Sequence, residues 1–182
     1  MNEVLSAIRL RRSIRAYSDT PVTDEQIQLL KDVCVQSPSA MNRQPYHFTF
    51  VKDPALLKEF TDDVRKLFAS REGAPERFKD PSFDVRYGAP LVVFIFATID
   101  GRFTKIDCGI AAENLALAAH SMGLGSVILG MPRDLFDGPE KEKWYKKLCP
   151  EAGAEFAIAV AIGTPAASKD EHPVRENLIT VI

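Results

Sequence analysis

The ten residues from Ala89 to Thr98 read Ala-Pro-Leu-Val-Val-Phe-Ile-Phe-Ala-Thr, a nearly unbroken apolar run with no polar-apolar alternation. A strand points successive side chains to opposite faces, so a run apolar at every position must be covered on both. The run is about half the length a membrane helix requires, and its Val, Ile and Phe content favours a strand. Leu91 to Ala97 is therefore expected to be a central strand buried on both faces. With 182 residues, 46% of them hydrophobic, residues 1–182 fit one domain large enough to bury a real core.

The rest of the chain supplies helices to cover such a strand. Residues 2 to 10 place Val4, Leu5 and Ile8 on one helical face. Thr23-Asp24-Glu25-Gln26 has capping-box spacing ahead of Ile27, Leu30, Val33 and Cys34, which predicts a second helix ending before Ser37-Pro38. His47 to Val51 alternates as a strand, and Asp53-Pro54 opens a helix with apolar Leu57, Phe60, Val64, Leu67 and Phe68. Residues 71 to 88, with two prolines, two glycines and many charges, read as a loop or mobile segment. Asp107 to Met122 is an alanine-rich helix closed by Gly123, expected to sit centrally or to face a partner subunit. Ser126 to Leu129, Pro139 to Leu148 and Phe156 to Ile162 add a strand, a helix and a last buried strand. The order predicts an α/β or α+β layout with helices over a sheet.

Several functions are disfavoured by what is missing. Lys plus Arg number 23 against 25 Asp plus Glu, a formal charge of −2, so no broad basic face for nucleic acid is expected. The amino-terminal stretch is not a signal sequence, and a cytoplasmic location is expected. Cys34, Cys108 and Cys149 are odd in number and widely spaced, which favours reduced thiols over a disulfide framework or metal site. His47, His120 and His172 are each isolated and read as structural or surface residues. No G-x-G-x-x-G follows a strand, and there is no P-loop, G-x-S-x-G or H-E-x-x-H.

Three stretches stand out. Arg11-Arg12-Ser13-Ile14-Arg15 clusters three guanidinium groups and a hydroxyl at a helix exit, suited to a dianionic phosphate or simply a solvated basic turn. Gln36 to Tyr46 is a polar, proline-bracketed loop running from a helix into a strand, able to present amides and hydroxyls to a heterocycle. Ile128-Leu129-Gly130-Met131-Pro132 lies at the carboxyl end of a strand before a short helix, where α/β folds tend to place ligands.

The segments RRSIRAYSDTPV, SPSAMNRQPYHFTFV, APLVVFIFA, DCGIAAENLALAAHSMGLGSVIL and FAIAVAIGTPA occur in that order, and with them the chain resembles the FMN-dependent nitroreductases. The resemblance implies an α+β, three-layer α-β-α fold with a mixed central sheet flanked by helices. It also implies an obligate homodimer with an FMN in each of two sites at the subunit interface, and NADH or NADPH as electron donor. Arg11, Arg12, Ser13 and Arg15 match the phosphate and flavin segment, with Arg11 and Ser13 on the phosphate side and Arg15 at the pyrimidine edge of the ring. Pro38, Ser39, Ala40, Asn42 and Gln44 match the loop that the second subunit lays against the ring. Leu129 and Gly130 match the segment passing near flavin N5, and Arg175, ahead of Lys169, is the candidate to complete the phosphate site. Arg77 and Arg86 are further basic candidates from the 71–88 region.

The implied activity is transfer of hydride to the flavin and of electrons onward to a nitroaromatic, quinone or similar small-molecule acceptor by a ping-pong mechanism. No side chain is implied as a catalytic acid or base. The alternative is a non-catalytic flavin-binding or flavin-handling protein on the same scaffold, and a weaker one is a site for some other phosphorylated small molecule. No nucleic acid, membrane or metal partner is expected.

Overall fold

The strand Leu91–Ala97 (β2) is buried at every position, and its side chains divide by parity. Val92, Phe94 and Phe96 enter one hydrophobic core, while Leu91, Val93, Ile95 and Ala97 enter another on the opposite face. Strands Tyr46–Val51 (β1) and Glu155–Gly163 (β4) pair with β2 on its two sides, and Gly125–Leu129 (β3) pairs with β4. The sheet order is β1-β2-β4-β3.

The first core is closed by Leu57, Phe60 and Val64 of the helix Pro54–Ala69 (α3), and by the short helices Arg133–Asp137 (α6) and Lys141–Leu148 (α7). Aromatic edges interlock there, with Phe60 against Phe94 at 5.0 Å and against Trp144 at 5.6 Å between ring centroids. The second core is closed by Ile27, Leu30 and Cys34 of the helix Asp24–Val35 (α2) and by Cys108, Ala112, Leu115 and Ala119 of Thr104–Ser121 (α5). Alanine on the buried face lets α5 lie close to the strands. The three-layer α+β arrangement implied by the resemblance is thus the observed one. The four strands are all antiparallel, and the parallel component is a single bridge from Ser13 to Ser126 along the outer edge of β3.

This computed structural model describes residues 2–149, 151–171 and 173–182, so the expectation for His172 lies outside the described residues. Local signals are realised where they were strongest. Thr23 and Gln26 form the reciprocal capping box, with bonds of 3.1 and 3.0 Å. Asp53 caps α3 by accepting the Leu56 N–H at 2.7 Å, with Pro54 at the first helical position.

The 71–88 segment is a loop, as expected, but an ordered one. It contains a one-turn helix, Glu76–Lys79 (α4), and buries Phe78 and Val85. Phe78 stacks on Phe68 of α3 at 4.8 Å and meets Phe83 edge-on at 5.3 Å. The side chain of Asp84 binds the turn that follows, accepting from the Thr61 hydroxyl and from the Arg86 and Gly88 N–H groups. These contacts are aperiodic, and the one from Thr61 to Asp84 spans 23 residues, so no local pattern announces them.

The first helix, Glu3–Leu10 (α1), is amphipathic yet has no buried residue, and Val4, Leu5 and Ile8 stand exposed. Among the described residues no helix is long and apolar enough to cross a membrane. All three cysteines are free and buried. Burial pushes the Cys34 thiol up to about 12 and the Cys108 thiol up to about 11.

Phe60→Ala should cost about 3–5 kcal/mol in chemical denaturation, because it empties the centre of an aromatic cluster. The raised Cys34 pKa stabilises the fold fully below the ordinary thiol value of 9.0 and progressively less as pH rises from there toward about 12. A Cys34→Ala variant should accordingly show a shallower alkaline loss of stability between those pH values, measured as unfolding free energy against pH.

Candidate functional site

After α1 the chain runs extended along the outer edge of β3. The Ile14 N–H donates to the Ser126 carbonyl at 2.9 Å, and Ser13 bridges Ser126. Ile14 presses on Gly125 so closely that a Cβ there would lie 2.9 Å from its side chain. Glycine at 125 therefore lets the arginine segment approach the sheet.

This path carries Arg11 and Arg12 into a cleft of about 560 Å³ beside the C-terminal end of α5, lined also by His120, Ser126 and Lys169. Arg11 Nε lies 3.3 Å from Glu113 Oε1, and Arg12 Nη2 lies 3.4 Å from Glu171 Oε1. Arg12 Nη1 donates to the carbonyls of Arg9 and Arg11 at 2.7 and 2.9 Å. The Nε groups of both arginines are buried without a hydrogen-bond partner, as are those of Arg65 and Arg86 outside the cleft; Glu113 neutralises Arg11 without the geometry of a hydrogen bond. Two desolvated guanidinium N–H groups with no acceptor are costly unless an anion meets them.

Arg15 points elsewhere. Its guanidinium carbon is 5.8 Å from the ring centroid of Tyr87, within range of a cation–π contact. Tyr87 has a left-handed backbone, φ 59°, in the turn tied to Asp84. Arg86 pairs with Asp84 at 3.2 Å and lines a different cavity, and Arg77 lies over Phe78 and Phe83. Neither joins Arg11 and Arg12.

The loop from Ser37 to Gln44 contains a 3₁₀ turn at Ala40–Asn42, with left-handed backbones at Met41 (φ 57°), Asn42 (φ 52°) and Gln44 (φ 48°). Such conformations cost about 1–3 kcal/mol each outside glycine and persist where surrounding bonds over-determine them. Here the bonds are present. The Gln44 N–H donates to Ser39 Oγ at 2.9 Å, and its side-chain amide donates to Asn42 Oδ1 at 3.1 Å. From α5, Asp107 accepts the Ala40 N–H and Asn114 donates to Ser37 Oγ. Tyr46 donates its hydroxyl to the Ser37 carbonyl at 2.7 Å, and burial raises its pKa.

Leu129 is buried at the end of β3, and Gly130 is exposed with nothing within 4 Å of a Cβ built on it. The chain's own packing does not require glycine at 130. Ser126 and Gly130 are separated by roughly 13 Å along the strand edge.

The structure thus brings Arg11 and Arg12 together in one cleft, with Ser13 on the adjoining strand edge. Pro38, Ser39, Ala40, Asn42, Gln44, Leu129 and Gly130 do not line that cleft. Arg175 is exposed and does not line it either, whereas Lys169 does. The sequence gives no site role to Tyr87, Asp107 or Asn114, and His120 reads from it only as a structural or surface residue. A helix written Asp-x6-Asn after a central strand was a legible signal for the second and third, and nothing local marked Tyr87.

Residues 8–164 match the family described as the Nitroreductase family. An Archaeoglobus fulgidus protein provisionally named NADH dehydrogenase/NAD(P)H nitroreductase is 34% identical over 175 residues, 93% of this chain and 90% of that one. A Bacillus subtilis protein named FMN reductase (NAD(P)H) is 28% identical over 163 residues, 79% of this chain but 62% of the relative. This chain therefore spans less than two thirds of that longer protein. Among solved structures, a nitroreductase with bound FMN from Desulfitobacterium hafniense superposes with a TM-score of 0.92 at 28% identity, covering 100% of this chain and 99% of that one. One from Bacteroides fragilis, also with bound FMN, gives 0.91 at 27% identity, covering 100% of both.

Inorganic phosphate at several times its Kd should stabilise the ligand-free protein by about 1 kcal/mol and raise Tm by about 2–4 °C. In the Arg11→Ala, Arg12→Ala double variant that shift should vanish, as read by thermal unfolding with and without phosphate.

Proposed function

The chain belongs to the nitroreductase family, and from that premise we propose that it is an FMN-dependent oxidoreductase using NADH or NADPH to reduce a nitroaromatic, quinone or similar acceptor. The observation that carries this reading is the gathering of Arg11 and Arg12 with Lys169 in one cleft, where the Nε–H of each arginine is buried without a hydrogen-bond acceptor. Their donor set fits a phosphate monoester, whose several oxygens can accept from separate guanidinium groups. Glu113 and Glu171 are partly exposed, so they can turn to solvent when a stronger anion arrives.

FMN, when bound, would supply the two-electron chemistry, accepting hydride from the nicotinamide and passing electrons to an acceptor that takes the donor's place, as a ping-pong cycle requires. The chain's residues bind, orient and exclude water. Arg11, Arg12, Ser13 and Lys169 hold the phosphate end, with Arg175 a further candidate in the C-terminal tail. Arg15, which meets Tyr87 in the chain alone, would serve the pyrimidine edge of a bound ring, where its fixed positive charge would favour the anionic reduced form. Gly130, whose missing Cβ nothing in the chain fills, leaves room for the ring against the end of β3. No side chain is given a proton-transfer role. A reduced nicotinamide donor fits a cytoplasmic setting.

The Pro38–Gln44 loop does not line the phosphate cleft of its own chain, which is compatible with a site shared between two subunits. The exposed apolar residues on α1, Val4, Leu5 and Ile8, and on α5, Ile106 and Ile110, supply a surface for a second copy. The active form is read as a homodimer in which each loop serves the flavin of the opposite subunit.

Mixing the FMN-loaded protein anaerobically with NADH, and separately with NADPH, tests the reading. Bleaching of the oxidised-flavin band within seconds by either donor is expected, and Arg15→Ala should slow it on the order of tenfold or more. Bound flavin that stays oxidised with both donors would sink the oxidoreductase reading in favour of a flavin-handling protein.

A further inference from the structure

Asp107 and Asn114 stand seven residues apart on α5, two helical turns along one face, and both reach the Ser37–Gln44 loop. The Ala40 N–H lies 3.2 and 3.3 Å from the two oxygens of Asp107, and the Asn114 amide donates to Ser37 Oγ at 3.1 Å. Asp107 is only 4% exposed. A carboxylate removed from water in exchange for one shared backbone N–H is a poor source of stability, and an apolar side chain would suit a site flanked by Cys108, Ala111 and Ala112 better. The loop it holds includes three non-glycine residues in left-handed conformations, and Met41 at its tip is exposed.

We propose that Asp107 is a positioning residue for flavin binding, fixing the Ala40 amide so that the loop keeps the left-handed shape in which Ser39 and Asn42 face the isoalloxazine ring. The inference rests on the function proposed above. Without the acceptor, the Ala40 N–H must find another partner or water, and the left-handed residues after it lose the anchor that holds them. The loop serves the ring and not the phosphate, so loss of Asp107 weakens binding at the ring end alone.

The test titrates the flavin-free protein with FMN and with riboflavin, which lacks the phosphate, reading flavin fluorescence. Asp107→Ala should weaken both ligands by the same factor, on the order of tenfold, while Asp107→Asn, whose amide oxygen still accepts the Ala40 N–H, restores most of the affinity. Arg12→Ala should weaken FMN and leave riboflavin unchanged. The proposal is overturned if Asp107→Ala weakens FMN but not riboflavin, if it changes neither, or if Asp107→Asn is as impaired as the alanine variant. Where Asp107→Ala does not fold, Asp107→Ser takes its place in the same titrations. Should the unmodified protein bind neither flavin, the proposed function fails, and amide hydrogen exchange at Ala40 and Asn42 decides the loop-holding role separately: faster exchange in the Asp107 variants supports it and unchanged exchange overturns it.

Discussion

Because every residue of β2 is shut away from water, helices must cover the sheet on both faces, and the one that covers much of the second face, α5, has to run close against the strands. Alanines at 111, 112, 116 and 119 make that approach possible and leave the helix little freedom to shift. A helix pinned in this way is a reference frame. Asp107 and Asn114 meet the polar loop, Glu113 meets Arg11, and His120 at the C-terminal end borders the arginine cleft. The burial that makes the fold stable thereby also sets where the site's polar groups stand.

The charge pattern follows the same local logic. With a formal charge of −2 the molecule has no overall field to attract an anion, so attraction must come from a few groups held together out of water. Arg11 and Arg12 are partly neutralised by Glu113 and Glu171, which keeps the cleft stable when nothing fills it. The neutralisation is incomplete in hydrogen-bonding terms, since the Nε–H of each arginine is left without an acceptor. A site so arranged gains most from a ligand with several acceptor oxygens and little from a single-point anion.

How much of this could be read from the residues depended on range. The Thr23–Gln26 capping box, the Asp53-Pro54 start and the apolar parity of Leu91 to Ala97 are settled within a few residues, and each element stands where its pattern put it. The arginine cluster was equally legible as a feature, although only the structure shows that Arg11 and Arg12 share a cleft while Arg15 turns toward Tyr87. The order within the 71–88 loop is not legible in the sequence, because it comes from Phe78 meeting Phe68 and Phe83 and from Asp84 meeting Thr61, contacts without periodicity. Position along the tail likewise carries no information about which basic residue borders the cleft, which in the structure is Lys169.

The loop from Ser37 to Gln44 shows why a strained element belongs on this scaffold. Left-handed backbone at Met41, Asn42 and Gln44 would relax in an isolated peptide, and the side chain of Met41 at the tip is exposed and contributes no packing to hold it. What holds it is a set of directional bonds, two of them from side chains on α5, whose own position is fixed by the sheet. Directional bonds specify shape more sharply than apolar contact does, and they are the better means of presenting a few polar groups to a flat ring. In the proposed homodimer such rigid presentation would require the two α5 helices to be held in register, a task for which the exposed apolar residues of α1 and α5 are available.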